Sequence, residues 1–106
     1  MMRFDMRAPD GGAATDELYA AALDMAAWGE EHGAVAAVLS EHHASDDGYL
    51  PSPIVLAAAI AARTTTLPIS VAALLVPLHD PIRLAEDMAV VDVMTRGRVS
   101  YVAGLG

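Results

Sequence analysis

A short apolar run, AVAAVL, occupies residues 34–39 and ends abruptly in the polar sequence SEHH. A run of this length that is rich in Val and Leu is typical of a strand buried on both faces of a parallel sheet. In folds built from such strands, functional residues gather where the strands end. We therefore expect Glu41, His42 and His43 to lie at the functional edge of an α/β fold.

Strands and helices alternate along the whole chain. Four strands are predicted at residues 2–6, 35–39, 69–76 and 99–103, with three helices between them. This order predicts βαβ units with right-handed crossovers and a parallel sheet. In a TIM (β/α)8 barrel, four such strands would make half of the ring. We therefore expect residues 1–106 to be the N-terminal half of a TIM-barrel domain and the chain to be truncated.

Polar residues and glycines mark the ends of the predicted helices. Thr15 is expected to cap the first helix. Ser52 and Asp80, each followed by proline, are expected to cap the other two. Gly33 and Gly97 are expected to end the first and the third helix.

The spacing of apolar residues predicts the buried face of two helices. In the first helix this face comprises Leu18, Ala22, Met25 and Gly29. In the third helix it comprises Ile82, Ala85, Met88 or Ala89, and Val93. The second helix, from Pro53 to Arg63, is apolar on every side and must therefore be covered on more than one face.

The chain is acidic, with a formal net charge of −8, and it has no cysteine. An acidic surface argues against nucleic acid or an anionic membrane as a partner, since both attract basic surfaces. Without cysteine the chain can form neither a disulfide nor a thiolate metal site. Its N-terminus lacks a signal-peptide pattern, and its apolar runs are too short to span a bilayer. We expect an acidic cytoplasmic protein.

Three of the four histidines are expected at the same edge of the sheet. His42 and His43 follow the second strand and His79 follows the third, whereas His32 is expected to cap a helix or face its dipole. One imidazole within reach of a substrate proton suffices for acid–base or substrate-binding chemistry. A metal site that adds Glu41 to the three edge histidines is a less favoured alternative, because adjacent residues of an extended chain point to opposite sides. Ordinary hydrogen-bonding loop histidines are a further alternative.

Several linked segments resemble the N-terminal part of the bacterial-luciferase-like flavin monooxygenases. These segments are LSEHH after the second strand, VPLHDPIRLAED around the start of the third helix, DVMTRGR at its end, and the closing GLG. The resemblance implies a TIM barrel longer than this chain. It also implies a reduced, non-covalently bound flavin, usually FMN supplied by a separate flavin reductase. Such proteins use oxygen to oxygenate an aldehyde, a ketone, a sulfonate or another small organic substrate.

The resemblance also implies roles for residues at the strand ends. His42 resembles the histidine to which a catalytic role is assigned, and Glu41 resembles the carboxylate near the flavin ring. His43 is expected to bind substrate. Ala72 and Ala73 match the place where members have a non-proline cis peptide or a bulge beneath the isoalloxazine. No metal is implied.

The closing glycines are a further candidate for cofactor binding. Gly104 and Gly106 could let a phosphate approach the backbone. Many members of the family have an arginine near this place, where this chain has Leu105. The phosphate is therefore expected to be bound by residues beyond 106, unless the cofactor differs.

Members of the family typically dimerise through helices in this part of the barrel, so we expect a homodimer. The residues expected beneath the partner are Ile54, Leu56, Ala57, Ile60 and Ala61. The leading hypothesis is a flavin-dependent monooxygenase. The alternatives are a hydride-transfer oxidoreductase that uses a deazaflavin coenzyme, and a non-catalytic flavin-binding or dimerising relative. The 106 residues alone are expected to be inactive, because a barrel site draws on many strand ends.

Overall fold

The chain forms a four-stranded sheet connected by three helices. The computed structural model describes residues 1–106. The strands are β1 (Met2–Phe4), β2 (Ala37–Leu39), β3 (Ile69–Leu75) and β4 (Val99–Gly104). The helices are α1 (Thr15–Glu31), α2 (Pro53–Arg63) and α3 (Pro81–Thr95), and a 3₁₀ turn covers Val76–Leu78. None of these helices combines the length and apolar character needed to cross a membrane.

The four strands are parallel and lie in the order in which they occur in the chain, β1-β2-β3-β4. In one row across the sheet Phe4 pairs with Leu39, Leu39 with Val71, and Val71 with Tyr101. Each strand is therefore the neighbour of the next, as expected for successive βαβ units. The predicted α/β fold with four parallel strands and three helices is confirmed.

The hydrophobic core lies on one face of the sheet. Phe4, Leu39 and Val71 are buried in a single cluster with residues of α1 and α2, such as Ala26 and Ile60. Side chains of a strand alternate between the two faces, so the next residues point to the opposite face. There Arg3, Ser100 and Val102 are exposed. The helices thus cover one side of the sheet and leave the other open.

Two strands are shorter than predicted. β1 ends at Phe4 because the chain turns at Met6, which has a positive φ of 61°. β2 begins at Ala37 rather than Val35, and Val35 is 68% exposed. The chain is still leaving α1 here, since the Ala34 N–H donates to the Gly29 carbonyl.

The two other strands also differ at one end. β3 ends at Leu75 because the chain enters the 3₁₀ turn at Val76. β4 continues one residue beyond the prediction, to Gly104.

Only one of the three predicted side-chain caps forms. The Asp80 carboxylate accepts the N–H groups of Ile82 and Arg83, as a capping aspartate should. Thr15 is instead the first residue of α1, and Ala14 occupies the capping position. Ser52 occupies the capping position of α2, but its side chain makes no capping hydrogen bond.

The helix ends are close to the predicted positions. Gly33 has a φ of +80° and follows the last residues of α1. The His32 ring nitrogen Nδ1 lies 2.7 Å from the Trp28 carbonyl oxygen, so His32 does bind the end of the helix. Arg96 and Gly97 both adopt positive φ after α3, which ends that helix.

The predicted buried faces were wrong in part. In α1 the buried residues are Ala22, Ala26 and Gly29, whereas Met25 is 53% exposed. In α3 the buried residues are Leu84, Val91 and Thr95. Ile82 and Val93 are 71% and 78% exposed. Both faces of α3 have apolar residues at helical spacing, so the spacing could not identify the face that contacts the sheet.

Arg98 holds three elements together at the amino edge of the sheet. Its guanidinium donates to the carbonyls of Ala61, Thr64 and Leu67, and to the Thr64 hydroxyl. Its Nε donates to the Thr95 carbonyl. These acceptors come from the end of α2, the loop before β3 and the end of α3. One planar side chain therefore donates to carbonyls at the ends of both helices and in the loop before β3.

Glu30 anchors α1 to the loop before β3. Its carboxylate accepts the backbone N–H groups of Thr65, Thr66 and Leu67, with the two shortest N···O distances at 2.6 Å. The backbone N–H of Thr66 lowers the Glu30 pKa most, and the pKa falls from 4.5 to about 2 although partial burial opposes it. The stabilisation is therefore complete above pH 4.5 and is lost as the pH falls towards 2.

We expect Glu30→Gln to lower the free energy of unfolding by about 1–2 kcal/mol near neutral pH, because the neutral amide accepts these N–H groups less strongly. The difference from the wild type should shrink as the pH falls below about 4.5, because the wild-type carboxylate then takes up its proton. Urea unfolding at a series of pH values measures both effects. Glu31→Gln, at the exposed neighbouring position, is the matched control. Equal stabilities of the two variants at every pH would contradict the assignment.

Candidate active site

The residues that follow β2 and β3 lie together at the carboxyl edge of the sheet. Glu41 and His43 come just after β2, and His79 follows the 3₁₀ turn that ends β3. Parallel strands bring these segments to one edge, as the sequence predicted. A buried carboxylate joins them.

Glu41 accepts three hydrogen bonds in an almost inaccessible position. Its Oε1 lies 2.7 Å from His43 Nε2 and 2.9 Å from His79 Nε2. Its Oε2 accepts the backbone N–H of Leu75 at 2.7 Å. The Glu41 side chain is 0% exposed, whereas those of His43 and His79 are 43% and 29% exposed. One carboxylate therefore fixes two imidazoles whose outer edges remain accessible.

Burial and hydrogen bonding act on Glu41 in opposite directions. Burial by itself would raise the pKa of the Glu41 carboxyl. The Leu75 N–H and the imidazoles of His43 and His79 outweigh it and hold the pKa below its ordinary value. Glu41 is therefore ionised near neutral pH and can accept from both imidazoles at once.

His42 points away from this cluster. Its ring stacks on Tyr49, with the ring centroids 3.7 Å apart and the planes inclined by 26°. Glu41 and His43 lie on one side of the extended chain and His42 on the other, as the alternation of side chains predicts. The three residues that the sequence placed at the edge thus form two separate groups.

The metal alternative does not match this arrangement. Glu41, His43 and His79 surround one oxygen atom, but His42 is stacked elsewhere. No group of three or more His, Asp or Glu side chains is arranged to hold a metal ion.

The sequence did not identify Tyr49 or Arg7 as part of the edge. The Arg7 guanidinium carbon lies 5.3 Å from the centroid of the Tyr49 ring, and Arg7 Nε pairs with Asp47 at 2.6 Å. The one available indication in the sequence was that Tyr49 is an aromatic residue in a loop, 44–50, of mainly small and polar residues. Its contact with His42 could not be predicted, because it depends on how the loop folds back.

Ala72 and Ala73 lie beside the Glu41 segment. The peptide bond between them is cis, and the pairing of β3 with β4 shifts register between Ala72 and Leu74. The Glu41 N–H donates to the Ala73 carbonyl at 3.2 Å. The two alanines therefore form part of the same edge as the buried carboxylate.

Gly104 packs tightly against β3. A Cβ at Gly104 would lie 2.9 Å from the Ala73 Cβ and 3.3 Å from Leu75 Cδ2, so packing alone requires glycine here. Leu105 is 87% exposed, and Gly106 is exposed as well with a φ of +97°. The closing segment therefore supplies a small residue at the edge and no positive charge.

A groove of about 960 Å³ opens between α2 and α3. Val55 and Val90, 71% and 58% exposed, contribute apolar walls, and His79 reaches the same groove. Four of the five residues expected beneath a partner, Leu56, Ala57, Ile60 and Ala61, are instead buried within the chain. Ile54 is partly buried and lines the groove. The sheet and the neighbouring helices cover the face that was predicted to need a partner.

The fold and the site define an α/β protein whose polar side chains collect at the carboxyl edge of a parallel sheet, as in βα-barrel enzymes. The family model of luciferase-like monooxygenases matches residues 2–106. The chain belongs to the luciferase-like monooxygenase family, as the resemblance implied.

Relatives in two bacteria are about one third identical. The alkanal monooxygenase alpha chain of Photorhabdus laumondii is 36% identical over 72 residues, which are 68% of this chain and 20% of that protein. A luciferase-like monooxygenase of Escherichia coli is 32% identical over 98 residues, which are 92% of this chain and 28% of that protein.

The fold also matches a solved structure. The oxygenating constituent of 3,6-diketocamphane monooxygenase from Pseudomonas putida, solved in complex with FMN, superimposes with a TM-score of 0.86 at 23% identity. The match covers 99% of this chain and 29% of that one. The chain thus spans between a fifth and a third of the length of these relatives.

We expect Glu41→Gln to lower the free energy of unfolding by about 1–3 kcal/mol, because the amide presents one acceptor oxygen and leaves a buried donor unpaired. Urea unfolding near neutral pH measures this loss. Asp46→Asn, an exposed position in the following loop, is the control and should change stability by less than about 0.5 kcal/mol. A Glu41 variant as stable as this control would show that the carboxylate does not hold the edge together.

Proposed function

We propose that the protein is a flavin-dependent monooxygenase that oxygenates a small organic substrate with reduced FMN and oxygen. The observation that supports this proposal most directly is the buried Glu41 carboxylate with His43 and His79 at the carboxyl edge of the sheet. This edge belongs to a chain of the luciferase-like monooxygenase family. Enzymes with parallel strands bind their substrates at this edge.

We further propose that residues 1–106 form the N-terminal half of a TIM-barrel domain. The open face of the sheet, with Arg3, Ser100 and Val102 exposed, would then face the barrel interior. The chain covers 29% of the Pseudomonas putida protein with the same fold. Four further strands would supply the rest of the substrate pocket.

The edge fits the ring of a flavin better than its phosphate. Ala72 and Ala73 are small, so a flat ring can approach the backbone beside the Glu41 segment. The space next to Gly104 is already filled by Ala73 and Leu75, so Gly104 contributes by letting β4 pack closely against β3. Leu105 offers no charge to a phosphate. We therefore propose that the phosphate is bound outside this chain. The flavin, when bound, supplies the activation of oxygen, and a separate flavin reductase is proposed to deliver it in reduced form.

Two kinds of imidazole are available for substrate chemistry. His43 is fixed through Nε2, which donates to Glu41, so Nδ1 of the neutral ring can accept from a substrate hydroxyl in one orientation. His42 uses the face of its ring for stacking on Tyr49, which leaves both ring nitrogens at its edge available. We propose that His42 exchanges a proton with the substrate as general acid or base, and that His43 orients the substrate.

In the complete barrel, we expect His42→Ala to lower kcat by about 10²–10⁴-fold, the usual contribution of a general acid or base. The Kd of FMN should change by only a few fold. Product formation from a panel of aldehydes and ketones, with reduced FMN and oxygen, measures kcat, and flavin fluorescence measures binding. His32→Ala, at the end of α1, is the control. If turnover stays within a few fold of the wild type, His42 is not catalytic.

We also propose that the protein is a homodimer that associates through the exposed side of α2 and α3. Val55, Val90 and Val93 are 71%, 58% and 78% exposed, and Val55 and Val90 line one groove. Contiguous exposed apolar residues are typical of interfaces. This surface differs from the buried α2 face expected from the sequence. Ile60 is 0% exposed, so a charge there would test folding rather than association.

In the complete barrel, we expect Val90→Asp to convert the dimer into a monomer, because a dimer would take the new charge out of water at a cost of several kcal/mol. Light scattering coupled to gel filtration should show about half the wild-type mass. Val35→Asp, at a 68% exposed position away from the groove, should leave the mass unchanged. A wild-type protein that is monomeric at high concentration would refute the proposal.

A further inference from the structure

The side chains of Arg7, His42 and Tyr49 are stacked beside the carboxyl edge of the sheet. Tyr49 lies against the His42 ring, with 3.7 Å between the centroids. The Arg7 guanidinium lies over the Tyr49 ring, with its carbon 5.3 Å from the centroid. The sequence analysis assigned no role to Tyr49 or Arg7.

The backbone on either side of Tyr49 is held in place. The Leu50 N–H donates to the Asp5 carbonyl and the His42 N–H donates to the Leu50 carbonyl, both at 2.9 Å. The Ala8 N–H donates to the Asp47 carbonyl at 2.7 Å. The loop is thus fastened both to the segment after β1 and to His42 itself. The Leu50 side chain, 1% exposed, anchors the same stretch in the core.

The Arg7 side chain is also held. Its Nε lies 2.6 Å from the Asp47 carboxylate, which in turn accepts the Ser45 hydroxyl. Asp47 therefore places the guanidinium near the Tyr49 ring, where a cation is attracted to the face of an aromatic ring. Glu41 fixes His43 and His79 by hydrogen bonds, whereas His42 is oriented by an aromatic surface.

We propose that Tyr49 is a positioning residue that holds the His42 imidazole in its productive orientation by stacking, and that this role requires its ring and not its hydroxyl. The inference rests on the proposed catalytic role of His42. A face-to-face contact restricts the imidazole plane while leaving both ring nitrogens free at its edge. A small displacement of a catalytic group can cost about 100-fold in rate.

The first test is spectroscopic and needs neither flavin nor substrate. In the complete barrel labelled at histidine, the ring protons of His42, assigned with His42→Ala, should show a ring-current shift from Tyr49. Tyr49→Leu should abolish the shift and Tyr49→Phe should preserve it. The His43 resonances serve as the internal control. A His42 shift unchanged in Tyr49→Leu would overturn the proposed stack.

The second test is kinetic. Tyr49→Leu should lower kcat by about 10–100-fold, with the FMN Kd and the substrate KM changed much less, and Tyr49→Phe should restore most of the rate. In the His42→Ala background, Tyr49→Leu should have no further effect, because Tyr49 acts through His42. An equal loss in both backgrounds would overturn the proposal, since it would indicate general disruption of the site.

The outcomes separate this inference from the function on which it rests. If His42→Ala lowers kcat and Tyr49→Leu does not, the positioning role is wrong and the catalytic role stands. If His42→Ala has no effect on kcat, the catalytic role and the positioning role both fail, whatever the spectrum shows. Should Tyr49→Leu not fold, Tyr49→Met replaces the ring by a longer apolar chain and gives the same comparison.

Discussion

The carboxyl edge of the sheet depends on one buried charge. The Glu41 carboxylate is taken out of water and is stabilised by the Leu75 N–H and by two imidazoles. Removing one partner from such an arrangement leaves a buried group unpaired, which costs more than the hydrogen bond itself contributes. Because the partners come from the ends of β2 and β3, this requirement fixes the geometry of the two strand ends together.

The amino edge of the sheet is held by two other charged side chains, Arg98 and Glu30. Arg98 donates to carbonyls at the ends of α2 and α3, and Glu30 accepts N–H groups just before β3. In both cases a charged side chain forms hydrogen bonds with backbone groups rather than with an opposite charge. The amino edge is thereby held together by hydrogen bonds from charged side chains to the backbone, whereas at the carboxyl edge the buried carboxylate accepts from two imidazoles.

The alternation of side chains along the extended chain gives His42 and His43 different contacts. His43 is linked to Glu41 by a hydrogen bond. His42, the residue before it, points to the opposite side of the chain and stacks on Tyr49. The first imidazole is fixed at one nitrogen and the second along its face. Different kinds of contact thus leave different atoms of the two rings free of these contacts.

The amino-acid sequence by itself determined the order of strands and helices, the start of α3 at Asp80, and the edge on which Glu41 and the histidines lie. These features follow from local patterns and from the rule that parallel strands end together. The tertiary structure alone decided which apolar face of α3 contacts the sheet, because Ile82 and Leu84 lie on different faces that are both apolar. It alone brought Tyr49 and Arg7 to His42, since contacts between distant segments depend on how a loop folds back and leave no periodic pattern in the sequence.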